Sequence, residues 1–194
     1  MTYDLVAVGA SWGGLRALEH LLGALPEDFG PALVIAQHRS ADSTTAGLAG
    51  LLSLHARRPV RDVTDKEPIE PCGIYLAPSD YHLLVEPGIF RLSVDERVQH
   101  ARPSVDVLFE SVADSYRERA VGVILTGANR DGARGLSRIK ELGGVAIVQD
   151  PADAEAHVMP TAAMRSTAAD AVLPLQEIPK FLSGLCMEVG QRVG

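Results

Sequence analysis

The chain has 194 residues, 46% hydrophobic and 22% charged, which is ordinary globular composition and enough for one domain with a substantial core. Its net charge of −7 argues against wrapping nucleic acid or adsorbing to anionic lipid, so no nucleic-acid partner is expected. MTYDLVAVG has no basic lead or cleavage site, and no apolar run nears the ~18 residues of a membrane span. Cys72 and Cys186 lack CxxC spacing, so they read as buried free thiols of a reducing cytoplasm rather than a disulfide framework or zinc site.

In chain order the pattern is strand, turn, helix, repeated, with no internal repeat or linker. Tyr3–Val8 reads as a buried strand. Leu15, Leu18, Leu21, Leu22 and Leu25 recur at helical spacing until Pro26. ALVIA (32–36) is a second strand, followed by a helix near Thr44–Leu54 and a short strand near Pro59–Val63. Residues 73–94 hold GIYLAP, YHLLVEPG and FRLSVD between Pro-Ser-Asp and Pro-Gly turns, and read as antiparallel hairpins attached at one edge of the main sheet. RPSVDVLFESVADSY opens a helix with Pro103 at its first turn. AVGVIL (120–125) is a third strong strand, then come TGANRDGARG, a helix through Leu142, a strand over Gly144–Val148 and a tail helix over Glu177–Val189. The alternation predicts an α/β fold. Its sheet is doubly wound and mostly parallel, with helices on both faces and a small antiparallel hairpin insertion. Residues 1–194 form one domain.

In such sheets reaction sites lie beyond the carboxyl ends of the strands. Three of those ends carry GASWGG with Ser11, QHRS with His38, and ANRDGARG with Asp131. A serine, a base and a carboxylate on one sheet edge are the residue set of an acyl-transfer triad. Each has a plain structural reading as well: Ser11 or Asp131 as a helix cap, His38 as a hydrogen-bonded structural residue. Gly9-Ala-Ser11-Trp-Gly13 also fits G-x-S-x-G, in which a sharp strand-to-helix turn exposes the serine oxygen and the helix N-terminus offers oxyanion donors. The order Ser, His, Asp differs from the Ser, Asp/Glu, His of α/β-hydrolases.

A dinucleotide site is the competing reading. It wants G-x-G-x-x-G and an acidic residue at the end of the second strand. Ser11 replaces the second glycine here, and Gln37-His38 stands where the acid should be. A P-loop lacks its Gly-Lys-Ser/Thr.

With these segments assembled, the chain resembles the catalytic domain of the CheB-type chemotaxis protein-glutamate methylesterases. The resemblance covers nearly the whole chain: GASWGG, VIAQH, IYLAPSDYHLLV, ARPSVDVLF, VGVILTGANRDGARG and QDPADAEAHVMP. It implies a serine hydrolase acting on methyl esters of glutamyl side chains on cytoplasmic chemoreceptor helices or related sensory proteins, and leaves glutamine deamidation open. Carried over, Ser11 is the nucleophile, His38 its base and Asp131 the residue that orients His38. No metal or organic cofactor is implied. Family members typically carry an N-terminal receiver domain. This sequence begins at the first strand and reads as a stand-alone form, with a separate receiver protein as a conceivable regulatory partner.

Two departures stand out. Trp12 occupies a place where relatives often have threonine. It reads as an oxyanion donor, a substrate contact or a cover for the core. Ala128-Asn129 stands where the family usually has Met-Gly. Together with Gly13, Trp12 and Ala128 are candidates for the oxyanion site and substrate groove. The departures also motivate an alternative, a non-catalytic chemosensory receptor-binding domain that kept the fold. His100, Arg102 and Asp106 read as capping and pairing residues, Arg39 as a solvated charge, and Arg130 and Arg134 as neighbours keeping Asp131 ionised.

Overall fold

The computed structural model describes residues 3–39 and 45–187. Its first strand, β1 (Leu5–Ala10), is buried along its whole length, as LVAVGA with no charged residue requires. Helix α1 (Gly14–Ala24) follows and turns Ala17, Leu18, Leu21 and Leu22 inward; Leu25 is already extended ahead of Pro26. Strand β2 (Ala32–Gln37) is equally buried. Helix α2 (Thr45–His55) matches the expected one, whose position 44 lies outside the described residues.

The next strands are β3 (Val60–Asp62), β4 (Ile74–Leu76), β5 (His82–Glu86) and β6 (Ile89–Ser93). Then come α3 (Val105–Tyr116), β7 (Ala120–Ile124), α4 (Ala133–Glu141), β8 (Val145–Gln149), α5 (Val158–Ser166), β9 (Ala171–Leu173) and α6 (Ile178–Met187). The predicted tail helix is α6 as far as Met187, and positions 188–189 lie outside the described residues.

The main sheet runs β3-β4-β2-β1-β7-β8-β9, with every pairing parallel. One face packs under α1, α2 and α6 through Leu18, Leu21, Leu22, Leu52, Ile178 and Leu182. The other packs under α3, α4 and α5 through Leu108, Phe109, Val112, Leu136, Ile139 and Met159. Each such fully buried side chain contributes roughly 1.5–3 kcal/mol. Among the described residues no helix is long and apolar enough to cross a membrane.

Three details differ from the sequence reading. GIYL supplies β4, an interior parallel strand between β2 and β3, not half of a hairpin. Among the strands of the described residues β5 and β6 alone pair antiparallel, and they form a separate sheet rather than an extension of the main edge. That hairpin is fastened to α3: Val85 N–H donates to Ser111 Oγ at 3.0 Å, and Ser115 Oγ donates to the Val85 carbonyl at 2.8 Å. Second, α5 and β9 are additional elements. Third, Cys72 is exposed; Cys186 is half-buried, and burial pushes its thiol up to about 11.

Candidate active site

Strand β1 lies between β2 and β7, so the residues that follow these three strands are neighbours by construction. Ser11 leaves β1 in a turn closed by Gly14 N–H donating to the Ser11 carbonyl at 2.9 Å. The turn passes through Gly13 at φ +77°, in the left-handed region, where an added Cβ would also sit 2.8 Å from Glu155 Cβ. Two side chains lock this corner. Gln37 Nε2 donates to the Ser11 carbonyl (2.9 Å) and the His38 carbonyl (3.0 Å), tying the end of β2 to the turn after β1. Thr126 Oγ1 donates to the Trp12 carbonyl at 2.9 Å and accepts the Ala156 N–H at 2.8 Å. Gly127 lets the loop before α5 close down, since a Cβ there would meet Met159 Sδ at 2.2 Å and Ser11 Cβ at 3.0 Å.

The structure brings Ser11, His38 and Asp131 into one line. Ser11 Oγ is 3.2 Å from His38 Nδ1, and His38 Nε2 is 2.7 Å from Asp131 Oδ2. Asp131 is fully buried. It does not cap its own helix, α4. It receives the start of α3 instead: Oδ1 accepts from Ser104 Oγ (2.9 Å) and Asp106 N–H (3.0 Å), and Oδ2 accepts from Val105 N–H (2.7 Å) as well as His38. Burial pushes the carboxyl up. The bonds from His38, Asp106 and Val105 outweigh it, and the group titrates below the ordinary carboxylate range. Asp131 is therefore ionised and accepts only, so His38 carries its proton on Nε2 and turns the Nδ1 lone pair toward Ser11.

Arg134 attracts Asp131 by charge, as the sequence reading expected of it. Arg134 pairs with Glu110 on α3. The helix N-terminus and Ser104 supply hydrogen-bond donors to Asp131. Asp106 is buried too. It accepts Gly135 N–H at 2.9 Å and Gln99 Nε2 at 3.2 Å; burial raises its pKa, with the Asp131 charge adding to the rise. Arg102 is bound to Asp80 (2.8 Å) and to the Val94 carbonyl (2.7 Å), the pairing role expected of it. Arg39 is not a solvated charge: its side chain is 5% exposed, with Nη2 on the Ala77 carbonyl and 3.6 Å from Asp62.

Around Ser11 an open cleft of about 570 Å³ is lined by Trp12, Gly13, Leu15, Gln37, His38, Ala128 and Glu155. All three groove candidates, Trp12, Gly13 and Ala128, thus border the serine. Trp12 is 67% exposed, which rules out its reading as a core cover. A second cleft of about 330 Å³ lies beyond His38, lined by Arg39, Arg97, Gln99, His100, Arg102 and Asn129.

Sequence reasoning missed Ser104, Gln37 and Thr126 as parts of this site. Ser104 stands in the quoted ARPSVDVLF segment, but nothing in its sequence context ties it to a carboxylate 27 residues away.

A profile of the CheB methylesterase family matches residues 6–182. The chain belongs to the CheB methylesterase family. Its backbone superposes on the CheB methylesterase catalytic domain of Thermotoga maritima with a TM-score of 0.90 at 31% identity, covering 95% of this chain and all of that one. A Leptospira interrogans protein provisionally named a protein-glutamate methylesterase/protein-glutamine glutaminase is 44% identical over 182 residues, covering 93% of this chain and 94% of its own length. The protein-glutamate methylesterase FrzG of Myxococcus xanthus is 42% identical over 177 residues. The chain matches 53% of FrzG, about half its length.

Proposed function

We propose that this CheB-family chain hydrolyses methyl esters of glutamyl side chains on cytoplasmic chemoreceptor helices or related sensory proteins. It does so as one catalytic domain, with Ser11, His38 and Asp131 as the triad. The observation that carries the reading is the continuous line from Ser11 Oγ through the His38 ring to a buried, ionised Asp131. The names and the family of its relatives support the substrate class.

In the reaction Ser11 Oγ attacks the ester carbonyl carbon while its proton passes to His38 Nδ1. The charge that grows on the carbonyl oxygen is assigned to backbone N–H groups of the turn into α1 and the loop after β7, with Trp12, Gly13 and Ala128, which line the cleft, as the candidates. Collapse of the tetrahedral species breaks the C–O bond to the methoxy group, which leaves as methanol with the proton from His38. Water, deprotonated by His38, then cleaves the acyl-serine and yields the glutamate carboxylate. Asp131 holds the ring and stabilises the imidazolium formed in each half-reaction. A glutamine side chain can enter the same sequence with ammonia as the leaving group, which gives the deamidase activity its chemical basis.

The test is methanol release from a panel of methylated chemoreceptor fragments, wild type against Ser11→Ala. Release by the wild type alone is expected. Equal release by the variant contradicts the mechanism. Tight fragment binding without any methanol favours the non-catalytic receptor-binding alternative.

A further inference from the structure

Asn129 follows two residues after Gly127 in the turn that delivers Asp131. Its side-chain oxygen accepts the Asp131 N–H at 3.1 Å. A backbone N–H only donates, so this bond fixes which end of the amide is oxygen. The Nδ2 end is therefore the one that meets His38 Nδ1, at 3.1 Å. His38 Nδ1 is also the atom that faces Ser11 Oγ at 3.2 Å. One lone pair is thus shared by two donors, the serine hydroxyl and the asparagine amide.

We infer that Asn129 is a positioning residue that holds His38 in its neutral, Nδ1-accepting form and lowers the basicity of the ring, extending proton abstraction from Ser11 to lower pH. The argument is one of sign. A donor bonded to the neutral form of a base stabilises that form alone. Once Nδ1 carries a proton, two N–H groups face each other across about 3 Å. The amide cannot relieve this by flipping, because its NH2 would then face the Asp131 N–H. Protonation therefore requires Asn129 to move away or leave a donor unpaired.

The other groups around the ring stay the same in every variant. Asp131 faces Nε2 from the β7–α4 turn. Arg39, next in sequence, and Arg97, His100 and Arg102, from the segment before α3, border the cleft beyond the ring. Glu155, from the β8–α5 loop, and Arg16, from α1, border the cleft on the Ser11 side. Sequence gave this position no role beyond its departure from the family's usual Met-Gly.

The catalytic consequence rests on the proposed triad, but the test does not need a substrate. It is a 15N and 1H NMR titration of the His38 ring in the full chain, the signal assigned by its loss in His38→Gln. Asn129→Ala is expected to raise the His38 midpoint by about half a pH unit or more, the size of one hydrogen bond to the neutral form. Asn129→Asp keeps an acceptor for the Asp131 N–H and puts a carboxylate oxygen against Nδ1, so it should raise the midpoint further, by about 1–3 units. The acid limb of Ser11 labelling by a fluorophosphonate ester should move in parallel. A midpoint unchanged or lowered in Asn129→Ala overturns the inference; if that variant does not fold, an unmoved midpoint in Asn129→Asp does. Raised midpoints without methanol release would keep the inference and count against the substrate proposal alone.

Discussion

The two ends of the Ser11–His38–Asp131 line are built on opposite plans. At the Asp131 end the carboxylate is fully buried and accepts from Ser104, Val105, Asp106 and His38. At the Ser11 end the hydroxyl opens onto a broad cleft beside a Trp12 that is 67% exposed. The first end is part of the core: the same bonds that orient His38 also seat α3 on the β7–α4 turn. The second is left open for a macromolecular substrate to complete. Damage at the closed end should therefore cost both folding and activity, whereas damage at the open end should cost activity alone.

The largest effect is expected from Asp131→Asn. Its Nδ2 must replace either Oδ1 or Oδ2, and each of these oxygens receives donors only. A donor-donor clash follows in both orientations. Stability should fall by about 1–3 kcal/mol in urea melts, and ester turnover by about 10³–10⁴-fold as His38 loses its tautomer.

The pH dependence of that loss sharpens the comparison. The folded Asp131 titrates below its unfolded value, so its stabilisation is present above about pH 4 and fades as pH falls through the folded value. The gap between wild-type and Asp131→Asn melting midpoints should accordingly narrow on acidification. A constant gap would mean that the carboxylate's charge does not hold α3.

A smaller effect is expected from Ser104→Ala, which removes one donor to Asp131 and the side-chain cap of α3. A loss of about 1 kcal/mol should accompany a modest drop in turnover. The smallest effect on stability belongs to Trp12→Ala, within about 0.5 kcal/mol by thermal melting, with the change confined to KM and kcat. A stability loss as large as that of Asp131→Asn would erase the distinction between the two ends.

The contrast also explains which parts of the molecule were legible in the sequence. LVAVGA, ALVIA and AVGVIL are unbroken apolar runs. They marked the three central strands, and their ends marked Ser11, His38 and Asp131. The three-residue strand IYL was absorbed into the hairpin pattern around it, because alternation over so short a run does not distinguish a parallel interior strand from an antiparallel one. Helix α5 begins at Val158 and has Pro160 in its first turn, where the missing N–H costs little, but no cap residue precedes it to signal a start. Strand β9 is only AVL.

In the site, neighbours along the chain and neighbours in space play different parts. Arg134 follows Asp131 closely in sequence and attracts it by charge, yet the hydrogen-bond partners of the carboxylate come from Ser104–Asp106 and His38. Asn129 is the counter-example: adjacent in sequence and in contact, but with a direction of hydrogen bonding that only the Asp131 N–H reveals.

The central claim is that the closed end makes the open end reactive, Asp131 acting on Ser11 through His38. Labelling by a fluorophosphonate ester, mapped by peptide mass spectrometry and timed in wild type and Asp131→Asn, tests it most directly. Phosphonylation of Ser11 in the wild type, slowed by about 10³-fold or more in a folded Asp131→Asn protein, is the predicted result. Label on another residue, or equal rates in the two proteins, would contradict it.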